Sequence, residues 1–153
     1  MRGCTQDAKY TKKNMKRSID KKSKDKIIDE IASYLDRYHP ELQTAYVFGS
    51  FISDESFSDI DIGLLTSSPV SDRLTYELNL EIGIEMHIKL PVDIRVLNKA
   101  PLSFCYSVIR NKKVILDRDA NFRAEFESIV LRQYFDFFPF HKRYLSEVLN
   151  API

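Results

Sequence analysis

The stretch that most constrains this chain runs from Val47 to Gly63: Val-Phe-Gly-Ser-Phe-Ile-Ser-Asp-Glu-Ser-Phe-Ser-Asp-Ile-Asp-Ile-Gly. An apolar run ends in Gly49-Ser50, a short polar loop follows, and a second apolar run opens on Asp59-Ile60-Asp61. Successive side chains of a strand alternate faces, so Asp59 and Asp61 point one way while Ile60 and Ile62 enter a core. Two neighbouring carboxylates repel each other and lose solvation, a cost that a divalent cation offsets. Gly49 lets backbone come close to a ligand, and Ser50 offers a hydroxyl and an amide to a phosphate. A metal site facing a phosphate cradle is equipment for phosphoryl or nucleotidyl transfer.

The rest of the composition sets bounds. A chain of 153 residues, 44% hydrophobic and 29% charged, is expected to form one globular domain with a real core. No apolar run reaches membrane-spanning length and no signal-peptide pattern is present, so no membrane partner is expected. Cys4 and Cys105 lack metal-ligand spacing, which suits a reducing cytoplasm, and Cys105 sits among apolar residues of core type. The net charge of +1 hides an asymmetry: residues 1–26 hold ten Lys and Arg against three Asp, and the remainder thirteen against nineteen acidic residues. Residues 1–23 therefore read as a basic, disordered arm on a body spanning 24–150. A basic arm can contact nucleic acid, but with Tyr10 as its one aromatic it lacks a stacking pattern, and a solubilising tail or a later start at Met15 is the simpler reading.

Around the central stretch the chain alternates helix and strand. Ile27, Ile28, Ile31, Leu35 and Tyr38 predict a helix over 24–38 with Ser23 as N-cap, stopped at His39-Pro40. Strands are expected at 44–48 and 59–65. The recurrence of Leu74, Leu78, Ile82 and Met86 predicts a helix over 70–88, its Arg73, Glu77, Glu81 and Glu85 facing water and His87 near its end. His39 reads as a loop residue and His87 as a favourable helix-end charge, neither as a ligand. Val92 to Leu97 predicts a third strand, with Asp93, Arg95 and Leu97 on the face opposite Val92, Ile94 and Val96. A charge inside such a run needs a partner. Asp93 is either ion-paired, to Arg95 or another cation, or it is a third carboxylate of the metal site. A short helix over 101–110, a strand at 114–117 and a long helix from 119 that Pro139 breaks or kinks complete the chain.

Taken together, the strand, Gly49-Ser50, the polar loop and Ser58-Asp59-Ile60-Asp61 resemble the signature of the DNA polymerase beta-like nucleotidyltransferases, and in particular their minimal nucleotidyltransferase (MNT) members. The segments 123–127 and 130–137 resemble the C-terminal helix of the antitoxin branch, so the likeness spans about residues 25–145. It implies an α/β fold, a small mixed sheet flanked by helices, with Asp59, Asp61 and, on a neighbouring strand, Asp93 as catalytic and metal-binding residues. It further implies two Mg2+ ions, ATP held at Gly49 and Ser50, and AMP transfer to a tyrosine of a partner HEPN-domain RNase toxin. Two features depart from the family pattern: eight residues rather than ten separate Ser50 from Asp59, and no small-x-Arg-Gly follows Gly49-Ser50. They leave open a non-catalytic antitoxin that sequesters its partner, while a small-molecule nucleotidyltransferase finds no acceptor pocket in the sequence. The residues do not decide whether the chain forms a homo-oligomer. Phe122, Phe126, Tyr134, Phe135, Phe137, Phe138, Phe140 and Tyr144 crowd the C-terminal region. They predict either a fully packed cap or an exposed partner surface, with Phe135, Phe138 and Phe140 as its candidates.

Overall fold

Apolar alternation in two neighbouring segments makes the central strands, and the other elements pack on them. The computed structural model describes residues 15–150. They run β1 (Arg17–Ser18), α1 (Lys21–Tyr38), β2 (Leu42–Phe48), α2 (Ser50–Ser53), β3 (Ser56–Phe57), β4 (Ile60–Thr66), α3 (Arg73–Ile88), β5 (Val92–Val96), α4 (Leu102–Arg110), β6 (Lys113–Asp117) and α5 (Ala120–Asn150). Four strands form one sheet in the order β5-β4-β2-β6. β2 is antiparallel to β4 and β6, while β4 and β5 are parallel. β1 and β3 pair as a small ribbon of their own. This is the mixed α/β sheet with flanking helices that the sequence predicts.

Alternation divides the core between the two faces of the sheet. On one face Val47, Ile60, Ile62, Leu64 and Ile94 pack with Ile31 and Leu35 of α1 and with Leu80 and Ile84 of α3. Ile31 and Leu35 are fully buried, and each contributes about 2 kcal/mol, enough to dock a helix of modest intrinsic propensity. On the other face Tyr46, Leu65 and Leu97 meet Cys105, Val108 and Ile109 of α4 and Val130 of α5. Asp61 and Asp93 share this second face with Leu65 and Leu97 by alternation. Gly63, between Asp61 and Leu65, makes room there: a Cβ would lie 3.0 Å from Leu97 Cδ1 and 3.4 Å from Val108 Cγ1. The helices thus cover one end of the face and the carboxylates occupy the other.

Several local expectations change. The first helix begins at Lys21, and its cap is Asp20 rather than Ser23. Asp20 accepts from the Ser23 amide (3.4 Å) and hydroxyl (2.5 Å), which hold its pKa below the usual carboxylate value. Ser23 is therefore the donor three residues inside the helix, the reverse of its expected role. The helix expected over 70–88 starts at Arg73 under an Asp72 cap, and it is rotated relative to the prediction. Leu74, Leu78, Ile82 and Met86 are exposed, whereas Glu77 is buried and Glu81 and Glu85 are half-buried. The physical reason is the outer edge of β5, whose backbone N–H groups those glutamates accept. Pro139 does not break α5, which runs unbroken through it. The side chains from 135 onward are exposed, so water can solvate the carbonyl that the proline leaves without a donor.

The first fourteen residues of the expected arm, with Cys4, lie outside the described residues. Arg17–Ser18 belongs to the ribbon and Lys21–Ser23 to the first turn of α1. Cys105 is buried, which pushes its thiol pKa up. No described helix is long and apolar enough to cross a membrane.

A polar cluster fastens α5 to the sheet. Glu127 accepts from the Tyr46 hydroxyl (2.9 Å) and pairs with Lys112 and with Arg123 (3.4 Å), and Arg123 also reaches Asp117 (2.9 Å). Burial by itself raises the Glu127 pKa, but the bonds from Lys112 and Tyr46 outweigh it and hold the value below the usual 4.5. A depressed carboxylate pKa means that this stabilisation is complete above about pH 4.5 and is lost as pH falls through the lower folded value. Glu127→Leu, which strands Lys112 and Tyr46, is expected to cost about 2 kcal/mol by urea denaturation at pH 7, and less at pH 3.5.

Candidate active site

The site begins where β2 ends. Gly49 has φ +75° and ψ −158°, a conformation that side-chain-bearing residues avoid. The pairing of Phe48 with Asp61 sets Gly49 against the Asp61 carboxylate, and a Cβ on Gly49 would lie 2.3 Å from Asp61 Oδ2. Glycine is thus required twice, for the turn and for the close approach. Ser50 then opens α2, a single turn closed by the amides of Ile52 and Ser53 on Gly49 O (both 3.1 Å).

Two cations from outside the motif hold the loop between Gly49 and Asp59. Lys24 of α1 donates from Nζ to Phe51 O (2.9 Å) and Asp54 O (2.8 Å), and its ammonium lies over the Phe51 and Phe57 rings at 5.3 and 5.7 Å. Arg17 of β1 donates from Nη1 to Ser58 O at 3.0 Å, the carbonyl just before Asp59. Neither residue carries a local sequence signal, because each becomes part of the site through a contact more than 25 positions away along the chain.

Parallel pairing places Asp93 directly beside Asp61. Asp59, Asp61 and Asp93 are half-buried, and one carboxylate oxygen from each lies within 4.8 Å of the others. The three side chains on which the sequence reading rests therefore converge. Asp93 also pairs with Arg95, Oδ1 to Nη2 at 3.3 Å, and Arg95 Nη1 lies 3.6 Å from Glu77 Oε2. Both readings of Asp93, ion pair and cluster member, hold at once. His39 caps the end of α1 and contacts Glu41, and the His87 ring packs near Tyr34; neither joins the carboxylates.

The donor set fits a hard divalent cation. It is all oxygen and anionic, as Mg2+, Mn2+ and Ca2+ prefer. Asp61 and Asp93 stand on two paired strands, and Asp59 lies in the bend directly before the first of them, which starts at Ile60 rather than at the expected 59. The absence of a side chain at Gly49 keeps one flank of Asp61 open to a ligand.

With this geometry in view, the comparisons with known proteins become specific. The family model described as polymerase beta, nucleotidyltransferase matches residues 29–121, more than half of the chain. The chain belongs to the polymerase beta nucleotidyltransferase family. Among solved structures it is similar to a chain of the tri-AMPylated Shewanella oneidensis HEPN toxin in complex with MNT antitoxin, with TM-score 0.68 and 21% identity over 82% of this chain and 98% of that one. A toxin–antitoxin structure with AMP-PNP gives TM-score 0.68 and 21% identity over 80% and 98%. The MntA–HepT toxin–antitoxin complex gives 0.66 and 20% over 82% and 98%. No curated protein matches the chain.

Two substitutions probe the site without reference to a reaction. Gly49→Ala combines a strained φ, costing about 1 kcal/mol or more, with a clash on Asp61, and is expected to lower the melting temperature and abolish Mn2+ binding. Asp61→Asn relieves repulsion in metal-free buffer, so it is expected to melt at or above the wild-type temperature. Added Mg2+ then raises the wild-type melting temperature and leaves that of the variant unchanged.

Proposed function

We propose that this protein is an adenylyltransferase antitoxin that transfers AMP from ATP to a tyrosine of a partner HEPN-domain toxin. The observation that carries this reading is the convergence of Asp59, Asp61 and Asp93 beside the Gly49-Ser50 turn in a chain of this family. The structural neighbours supply the acceptor and the nucleotide: one is an MNT antitoxin with an AMPylated HEPN toxin, another a toxin–antitoxin with AMP-PNP.

In this reading Asp59, Asp61 and Asp93 hold Mg2+, two ions in all. Bound there, Mg2+ neutralises phosphate charge and favours ionisation of the attacking hydroxyl. Gly49 admits the triphosphate close to the backbone, and Ser50 contacts its oxygens. The tyrosine oxygen attacks the α-phosphorus, the bond from that phosphorus to the β-phosphate oxygen breaks, and pyrophosphate leaves. The proton of the phenol passes to the carboxylate of Asp93, which lies nearest the nucleophile. Arg95, already paired with Asp93, orients that carboxylate.

The partner binds the distal half of α5, where Phe135, Phe138 and Phe140 stand exposed in a helix that projects past its last buried residue, Val130, and past the stack of Tyr134 on Tyr106 of α4. The catalytic domain spans residues 24–150 together with β1 and the first turn of α1, and the complex works in the cytoplasm, where ATP is supplied.

Incubation with α-labelled ATP, Mg2+ and the HEPN protein encoded beside this chain is expected to label the partner on tyrosine. Asp59→Asn with Asp61→Asn lowers the rate by at least about 1,000-fold. Inhibition of the partner without label, unchanged in the double variant, contradicts the transfer and establishes sequestration instead.

A further inference from the structure

β5 is an edge strand, and its outward N–H groups are those of Val92, Ile94 and Val96. A bare row of such donors invites pairing with another chain. Here each donor meets one glutamate of α3: Val92 N to Glu85 Oε1 at 3.1 Å, Ile94 N to Glu81 Oε1 at 3.0 Å and Val96 N to Glu77 Oε1 at 2.9 Å. The match is geometric. Four residues of helix advance ~6.0 Å and two residues of strand ~6.6 Å, so glutamates at every fourth helix position meet amides at every second strand position. The helix runs antiparallel to the strand and substitutes a row of carboxylates for a neighbouring strand's carbonyls.

This orientation buries Leu80 and Ile84 and turns Leu74, Leu78, Ile82 and Met86 outward, so the helix has apolar residues on both sides and burial alone does not choose between them. Amides bonded to carboxylates are stronger than neutral pairs, and three of them favour the observed side. Two of the three, at Val92 and Ile94, flank Asp93 on either side along the strand. The third glutamate, Glu77, also lies 3.6 Å from the Arg95 guanidinium that contacts Asp93.

We propose that Glu81 and Glu85 are positioning residues for the third carboxylate: by bonding the amides on both sides of Asp93 they fix the edge strand so that its side chain stays within reach of Asp59 and Asp61. This rests on the reading of the triad as a cation site. Glu77 extends the row and joins it to Arg95. The device needs an accepting oxygen at each position, and the charge strengthens the bond without being what places it.

The test uses the full chain and Mn2+ alone as probe. Glu81→Ala is expected to speed amide exchange at Ile94 and to weaken Mn2+ binding about tenfold, the range seen when groups supporting a ligating carboxylate are removed. Glu81→Gln keeps an acceptor and is expected to restore slow exchange and affinity to within about threefold of wild type. Should Glu81→Ala not fold, Glu85→Ala and Glu85→Gln make the same comparison at Val92. Faster exchange at Ile94 with wild-type Mn2+ affinity overturns the positioning role, as does a glutamine variant no better than alanine. If the wild-type chain binds no Mn2+, the reading of the triad fails first, and the exchange data still establish whether the amides are held.

Discussion

Three carboxylates held within 4.8 Å of one another are the constraint on which the rest of this structure depends. Such a cluster is unfavourable by itself, because each charge repels the others and is partly removed from water. The chain sustains it by spending its regular structure there. Two adjacent strands fix Asp61 beside Asp93, and a turn only glycine can make brings the end of β2 against the same group. The apolar core lies under one face of those strands, so the carboxylates share a rigid base rather than three mobile loops.

Supporting charges surround the cluster at a distance. Lys24 and Arg17 hold the loop leading into Asp59 from segments far away in sequence. Arg95 compensates Asp93 and is compensated in turn by Glu77. On the face that carries Asp61 and Asp93, Glu127 joins α5 to Tyr46 in the central strand and so connects the helix carrying the exposed aromatic residues to the sheet carrying the site. A partner seated on α5 would therefore meet an element anchored in the catalytic sheet.

The parts of this arrangement legible in sequence are those set by local alternation. Ile60 and Ile62, alternating with the aspartates, indicate which way Asp59 and Asp61 point, and Val92 and Ile94 do the same for Asp93. The parallel neighbour relation that aligns Asp61 with Asp93 is not local, and it was available only through resemblance to a family. The orientation of α3 departs from the sequence expectation for a physical reason. Leu74, Leu78, Ile82 and Met86 recur at a spacing that normally marks a buried stripe, but the stripe competes with the outward amides of the edge strand that begins at Val92, just past the end of the helix at Ile88. The two-residue strands β1 and β3 carry no periodicity at all, and Pro139 predicts a break or a kink because its sequence context does not reveal that the helix there is solvated.

Anomalous diffraction from crystals soaked with Mn2+ and a non-hydrolysable ATP analogue measures directly whether the three aspartates take one cation site together. The expected result is a peak bonded to Asp59, Asp61 and Asp93, with the triphosphate against Gly49 and Ser50. A peak bonded to Asp59 and Asp61 alone, with Asp93 still on Arg95, or no peak at saturating Mn2+, would contradict it.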